Sequence, residues 1–140
     1  MTTQNELIEL YLNDETKLLH DWYQQVQLHQ HPDLEPIATF PTLEELQAMA
    51  KVWWQHLYSK NKQFFEDTFC KQPLLTGESA CGWWQRIRKE SKLYQDLIVA
   101  IVDELLLSPL LETRHLAVTV TLIVSSHFLD RICEGLNCDG

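Results

Sequence analysis

Glycine and proline are scarce in this chain, with four and five copies among 140 residues. All-β architectures need many turn residues, so the scarcity argues against a sandwich or barrel and for helices. No apolar run reaches the roughly 18 residues of a conventional membrane span, and no membrane association is expected. Cysteine is sparse too, and Cys70, Cys81, Cys133 and Cys138 lack the tight paired spacing of a metal or redox motif. The opening MTTQNELIEL has neither a basic nor an apolar stretch of the kind that marks a secretory signal. These absences predict a cytoplasmic protein whose cysteines are free thiols, not a disulfide frame. Also missing are His-x-x-x-His, Gly-x-Ser-x-Gly and any glycine-rich phosphate cradle, which removes the local signatures of several hydrolase and nucleotide-binding classes.

What is present describes an ordinary globular protein, with 45% hydrophobic and 22% charged residues. The length suits one domain, read as residues 1–135, with 136–140 as a flexible tail. The net charge of −9 is unevenly distributed. Residues 1–50 hold nine acids against Lys17 alone, residues 51–95 hold eight bases against four acids, and residues 96–140 hold seven acids against two bases. A chain with this balance avoids phosphate backbones overall, so nucleic acid is not an expected partner, while the basic middle can meet an acidic surface.

Prolines at 32, 36, 41, 73 and 109 divide the chain into four long segments. That outline predicts an all-α, single-domain bundle of four to six helices. In the first segment Leu7, Tyr11, Leu18, Trp22 and Val26 form one stripe, and Asp14 interrupts it as a cap for a second piece. Residues 32–41 read as a rigid extended connector. The second segment opens on Thr42-Leu43-Glu44-Glu45, a capping box, and a break is expected at Lys60-Asn61-Lys62. The third begins near Ser79 or Gly82, with Ser91 as a cap for a separate helix running to Leu106. The fourth starts at the Ser108-Pro109 corner and runs as one helix to Glu134, with Gly135 as its terminator.

Leu116 to Leu129, LAVTVTLIVSSHFL, carries no full charge and is apolar on nearly every side. Its alternating Val118-Thr119-Val120-Thr121 resembles a strand, but a lone strand leaves its backbone unpaired. A helix at the centre of the bundle, covered by the other three segments, is the expected solution.

Three constellations bear on function. Glu112-x-x-His115 matches one half of the paired motif of ferritin-like metal bundles, and His20, His56 and His127 are candidate further ligands. No second Glu-x-x-His completes that site, so the metal- or anion-binding bundle ranks second and no cofactor is expected. Trp83, Trp84, Arg86, Arg88 and Lys92 combine rings with cations on the third segment. Trp53, Trp54 and Tyr58 add an aromatic face on the second. Trp22-Tyr23-Gln24, Trp53-Trp54-Gln55 and Trp83-Trp84-Gln85 share an aromatic, aromatic, Gln pattern, in which one ring of each pair is expected in the core and the other at its rim. Tryptophan, tyrosine and arginine carry much of the energy of protein interfaces. The leading expectation is therefore a non-catalytic, self-associating protein–protein interaction domain that uses this aromatic and basic surface.

Overall fold

A helix with no polar face must be enclosed, and Leu116–Ser125 (α7) is enclosed throughout its first nine residues. The computed structural model describes residues 3–27, 41–107 and 109–134. Among them are eight α-helices and no strand beyond one isolated antiparallel bridge, Pro73 with Ser79. The protein is all-α, though the four segments break into more helices than four to six. The expectations for residues 32–40, Ser108, Gly135 and the tail 136–140 lie outside the described residues.

The first segment folds as anticipated. Thr3 accepts from the Glu6 amide to start α1 (Gln4–Asn13), and Asp14 accepts from the Lys17 amide to start α2 (Glu15–Trp22). A π-helical turn, Tyr23–Gln27, follows. The second segment opens on the full capping box, with Glu45 N–H on Thr42 Oγ1 and Thr42 N–H on Glu45 Oε1. That box begins α3 (Leu43–Lys60), which ends at Asn61, and α4 (Lys62–Glu66) continues into a π-helical turn, Asp67–Lys71. Gly77, at φ 90°, supplies the left-handed residue of the joint before α5 (Ala80–Ile87), which Ser79 caps.

The last two segments depart from expectation. Ser91 opens a 3-10 turn, Ser91–Leu93, and makes no side-chain cap; α6 (Tyr94–Glu104) stops short of Leu106. No helix begins at Pro109. Leu110 and Leu111 donate to the Leu107 carbonyl in a tight turn, Glu112 is extended, and helix resumes only after a 3-10 turn, Thr113–His115. Nor does one helix reach Glu134. It stops at Ser125, turns at Ser126–Phe128, and restarts as the five-residue α8 (Leu129–Cys133).

The core lies around α7, which packs against α1, α2 and α6. Its Thr119 hydroxyl returns a bond to the His115 carbonyl at 2.7 Å, which lets a polar side chain sit buried in the helix. A second, aromatic part of the core holds Trp54 against Phe65 and Tyr58, with Phe128 stacked parallel to its ring at 5.6 Å. Trp22 meets Trp53 edge to face at 5.7 Å.

The cysteines overturn the free-thiol expectation. Cys81 of α5 and Cys133 of α8 form a buried disulfide with Cα atoms 5.4 Å apart across 52 residues of sequence. Cys70 is also disulfide-bonded. Sequence spacing hid both bridges because a disulfide needs proximity in space, not in sequence.

Candidate functional site

The expected aromatic and basic surface divides in two. Trp53, Trp54, Tyr58 and Trp84 are all buried, Trp84 completely. Their rings are therefore core, a correction that follows from the stacking of Phe128 and Phe65 around Trp54 and of Tyr94 and His127 around Trp84. The reading of one core ring per aromatic pair holds only for Trp83-Trp84, where Trp83 is half-buried; Trp22, Tyr23, Trp53 and Trp54 are all inside. The cations are exposed. Arg86 is taken up by Glu78, in a two-pronged contact at 2.6 and 3.4 Å, and the Arg88 guanidinium lies 3.8 Å from Asp130. Lys92 is exposed and makes no ion pair among the described residues.

The candidate metal ligands do not converge. Glu112 is not on a helix, and its Oε2 lies 2.8 Å from Arg114 Nε and 3.4 Å from His115 Nε2. His115 Nδ1 is 3.1 Å from Gln25 Oε1. His127 lies beyond the opposite end of α7, a helix of ten residues and so roughly 15 Å long. His56 is exposed on α3, and His20 is half-buried on α2. Among the described residues no group of three His, Cys, Asp or Glu side chains is placed to hold a metal.

What the fold does build is a corner around His127. The end of α7 is a Schellman motif: Phe128 N–H bonds the Ile123 carbonyl and His127 N–H the Val124 carbonyl. The residue at its left-handed position is usually glycine, but here it is His127, at φ 61°. Its ring sits edge to face on Trp84 at 5.1 Å and on Tyr94 at 6.0 Å. The Tyr94 hydroxyl donates to the Arg88 carbonyl, so the contact of 3.2 Å between Tyr94 Oη and His127 Nε2 requires the N–H on Nε2. Burial, then the Asp130 charge, raise the Tyr94 pKa against a smaller opposing effect of Arg88, and the phenol stays protonated to make its donation. Asp130 is the hub of the corner. Its Oδ1 accepts from Trp84 Nε1 at 2.8 Å, and its Oδ2 lies 3.8 Å from both Arg88 Nη2 and His127 Nδ1. Asp130 and Cys133 thus fasten α8 to α5 at neighbouring points.

Clefts open on both sides of this corner. The larger, about 750 Å³, has an apolar floor that includes Tyr11, Leu18, Leu19 and Ala50. Glu9 and Glu15 line it from α1 and α2, Lys51 from α3, Lys92 from the 3-10 turn, and Ser125 to Phe128 from the end of α7. The Tyr11 hydroxyl donates to Asp21 Oδ2 at 2.7 Å, and burial first, then that bond and charge, keep the phenol protonated. Lys51, His127 and Phe128 also line a second cleft of about 520 Å³, which in turn shares Tyr58, Ser59, Arg131 and Glu134 with a third. Gln47, Lys51, Trp54, Tyr58 and Lys62, at steps of three or four, make α3 and α4 the common wall. The result is a groove roughly 25 Å long at 1.5 Å per residue.

Sequence reasoning named His127 but missed Lys51, Tyr94, Asp130 and the α7 turn. The one local signal was Ser125-Ser126, two weak helix formers following an apolar run. Among the described residues no helix is long and apolar enough to cross a membrane. No family model, curated protein or solved structure matches this chain.

Proposed function

We propose that this is a non-catalytic helical interaction domain whose binding surface is the groove along α3 and α4, with the His127 corner at its middle. The observation that carries the reading is the continuity of the clefts: one helical wall serves all three, with residues from the α7–α8 region opposite. An apolar floor with a polar and charged rim suits a segment of another protein, whose apolar side chains fill the floor while the rim fixes its register. This moves the binding role from the buried tryptophans to exposed residues beside them, above all Lys51, Lys92 and His127. Self-association belongs to the proposal, since the acidic first third and basic middle of the chain are complementary.

The disulfides also bear on location. A cytoplasmic placement relied on reduced cysteines, whereas a buried Cys81–Cys133 bridge and a bonded Cys70 favour an oxidising compartment, and we prefer the latter. Thiol labelling of protein taken directly from its native cells, with and without reduction, tests this; labelling before reduction would count against it.

Selection of random displayed peptides on the oxidised full chain tests the main reading. Selected peptides should shift the amide resonances of Gln47, Lys51, Ser59 and His127, and Lys51→Glu with His127→Ala should weaken them about tenfold without loss of helicity. Failure to enrich any peptide, or binders that map to another face, would reject the groove.

A further inference from the structure

We infer that the groove's second cleft is a carboxylate site. It takes a singly charged carboxylate borne on an apolar body, which in a bound segment is an aspartate or glutamate beside an apolar residue. The inference rests on the interaction reading above and adds the chemistry that the partner must bring to the middle of the groove.

This cleft, of about 520 Å³, is walled by α3 on one side and by the turn after α7 and α8 on the other. Its lining is aromatic: Trp54 stacks on Tyr58, and Phe128 stacks on Trp54. Hydrogen-bond donors surround the rings. Lys51, Gln55 and Ser59 follow one another at steps of four along α3, and all three are exposed. Arg131 joins them from α8, its guanidinium carbon 5.9 Å from the centre of the Tyr58 ring. Neither Lys51 nor Arg131 makes an ion pair among the described residues, although the chain as a whole has a net charge of −9.

The acids of the cleft do not cancel these cations. Asp130 is already engaged: its Oδ1 accepts from Trp84 Nε1, and its Oδ2 lies 3.8 Å from Arg88 Nη2 and from His127 Nδ1. Glu134 is exposed and makes no ion pair among the described residues, so two unpaired cations stand against one unpaired carboxylate. That surplus suits a monoanion, and a guanidinium matches a flat carboxylate with two parallel N–H groups. A phosphate monoester, with a charge of about −2, is repelled more strongly by Glu134.

Trp54 supplies an independent sign of a ligand. Its indole Nε1 is buried and has no hydrogen-bond partner among the described residues. Buried indole N–H groups are normally paired, so an orphan on a residue that lines a cleft is a donor waiting for an acceptor. A carboxylate oxygen is such an acceptor, and the stacked rings receive the apolar body beside it.

Titration of the oxidised, isotope-labelled full chain with naphthoate tests the inference at the indole N–H resonances. The Trp54 signal is identified by its loss in Trp54→Phe, or through its bonds to the Trp54 backbone should that variant not fold. Binding in roughly the millimolar range is expected for a ligand of this size, with the Trp54 signal moving downfield. Lys51→Gln with Arg131→Gln, both at exposed positions, should weaken it about tenfold at unchanged helicity. Neutral naphthamide should bind about tenfold more weakly than naphthoate, and naphthyl phosphate no better than naphthoate. Equal binding of the amide, tighter binding of the phosphate, a Trp54 signal unmoved at saturation, or a double variant that binds as wild type does would each overturn the inference. The displayed-peptide selection separates the site from the reading it rests on. Bulk charge alone favours basic peptides, whereas the site requires an acidic residue beside an apolar one, whose change to Asn or Gln weakens binding about tenfold. Groove-bound peptides that lack an acid would remove the carboxylate site and leave the interaction reading standing. Naphthoate held at Trp54 with no peptide enriched would do the reverse and make a free small acid the ligand.

Discussion

Helix α7 and the turn that ends it are adjacent in sequence and opposite in design. From Leu116 to Val124 every residue is buried, and the only polar side chains are Thr119 and Thr121. Three residues later the His127 side chain is 47% exposed, its backbone is left-handed, and its neighbours are Tyr94, Trp84 and Asp130. The helix is held by burial, which is non-directional and tolerant of detail. The corner is held by directional contacts from α5, α6 and α8, each needing a particular atom in a particular place. A fold can therefore be secured by one stretch while the next, under less apolar constraint, keeps polar groups available for binding.

The sharpest way to break that contrast is to remove the clamp on the corner and leave the helix alone. Cys81→Ala with Cys133→Ala opens a 52-residue loop and should lower stability by about 4 kcal/mol, from the entropy regained by the unfolded chain. Thermal unfolding should then shift down by roughly 10 °C. Below that transition the near-ultraviolet signal of Trp84 should weaken while far-ultraviolet helicity is kept. Loss of both together would mean that the corner and the helical core are one cooperative unit.

Attacking the other side of the contrast should cost slightly less. Ile123→Ala empties a fully enclosed site and should destabilise by about 3 kcal/mol, read from chemical denaturation. Peptide binding and dimerisation, measured well below the denaturation midpoint, should survive it. Thr42→Ala, at the start of the groove wall, removes one cap bond and should lower stability by about 1 kcal/mol in the same assay. Neither side chain lines the groove, and both changes keep the backbone bonds of the α7 turn, so loss of binding from either would show that the groove depends on global rigidity and not on its own lining.

The same contrast explains what the sequence made legible. Caps at Asp14 and Thr42, a helix start near Ser79 and the breaks near Asn61 and Ser91 are visible because their causes lie within a few residues. The burial of α7 is visible because an uncharged apolar stretch has no other stable place in an all-helical chain. The corner brings together residues 84, 88, 94, 127 and 130 and a disulfide that spans 52 positions, and no local pattern encodes that meeting. The tryptophans misled for a related reason. A ring at the edge of a helical stripe can face solvent or a distant partner, and for Trp54 the partner is Phe128, 74 positions away. His127 itself interrupts helix at a place where glycine is the usual signal, so the stop could not be read from composition.

The smallest expected effect is the most discriminating. His127→Gly relieves a left-handed backbone strain of roughly 1–2 kcal/mol. It also removes two edge-to-face ring contacts, each worth about 0.5–1.5 kcal/mol when buried, and the bond to Tyr94. Because the side chain is half in solvent, those losses are discounted and the two sides should nearly cancel. A net stability change within about 1 kcal/mol is expected by denaturation, together with clear loss of peptide binding. His127→Asn, which tolerates the left-handed backbone but lacks the ring, should lose binding in the same way. A drop of about 2 kcal/mol or more in the glycine variant would make the ring a structural plug, as much part of the core as Ile123. With stability kept and binding lost, the ring serves recognition, and its strained backbone is what holds it at the lip of the groove.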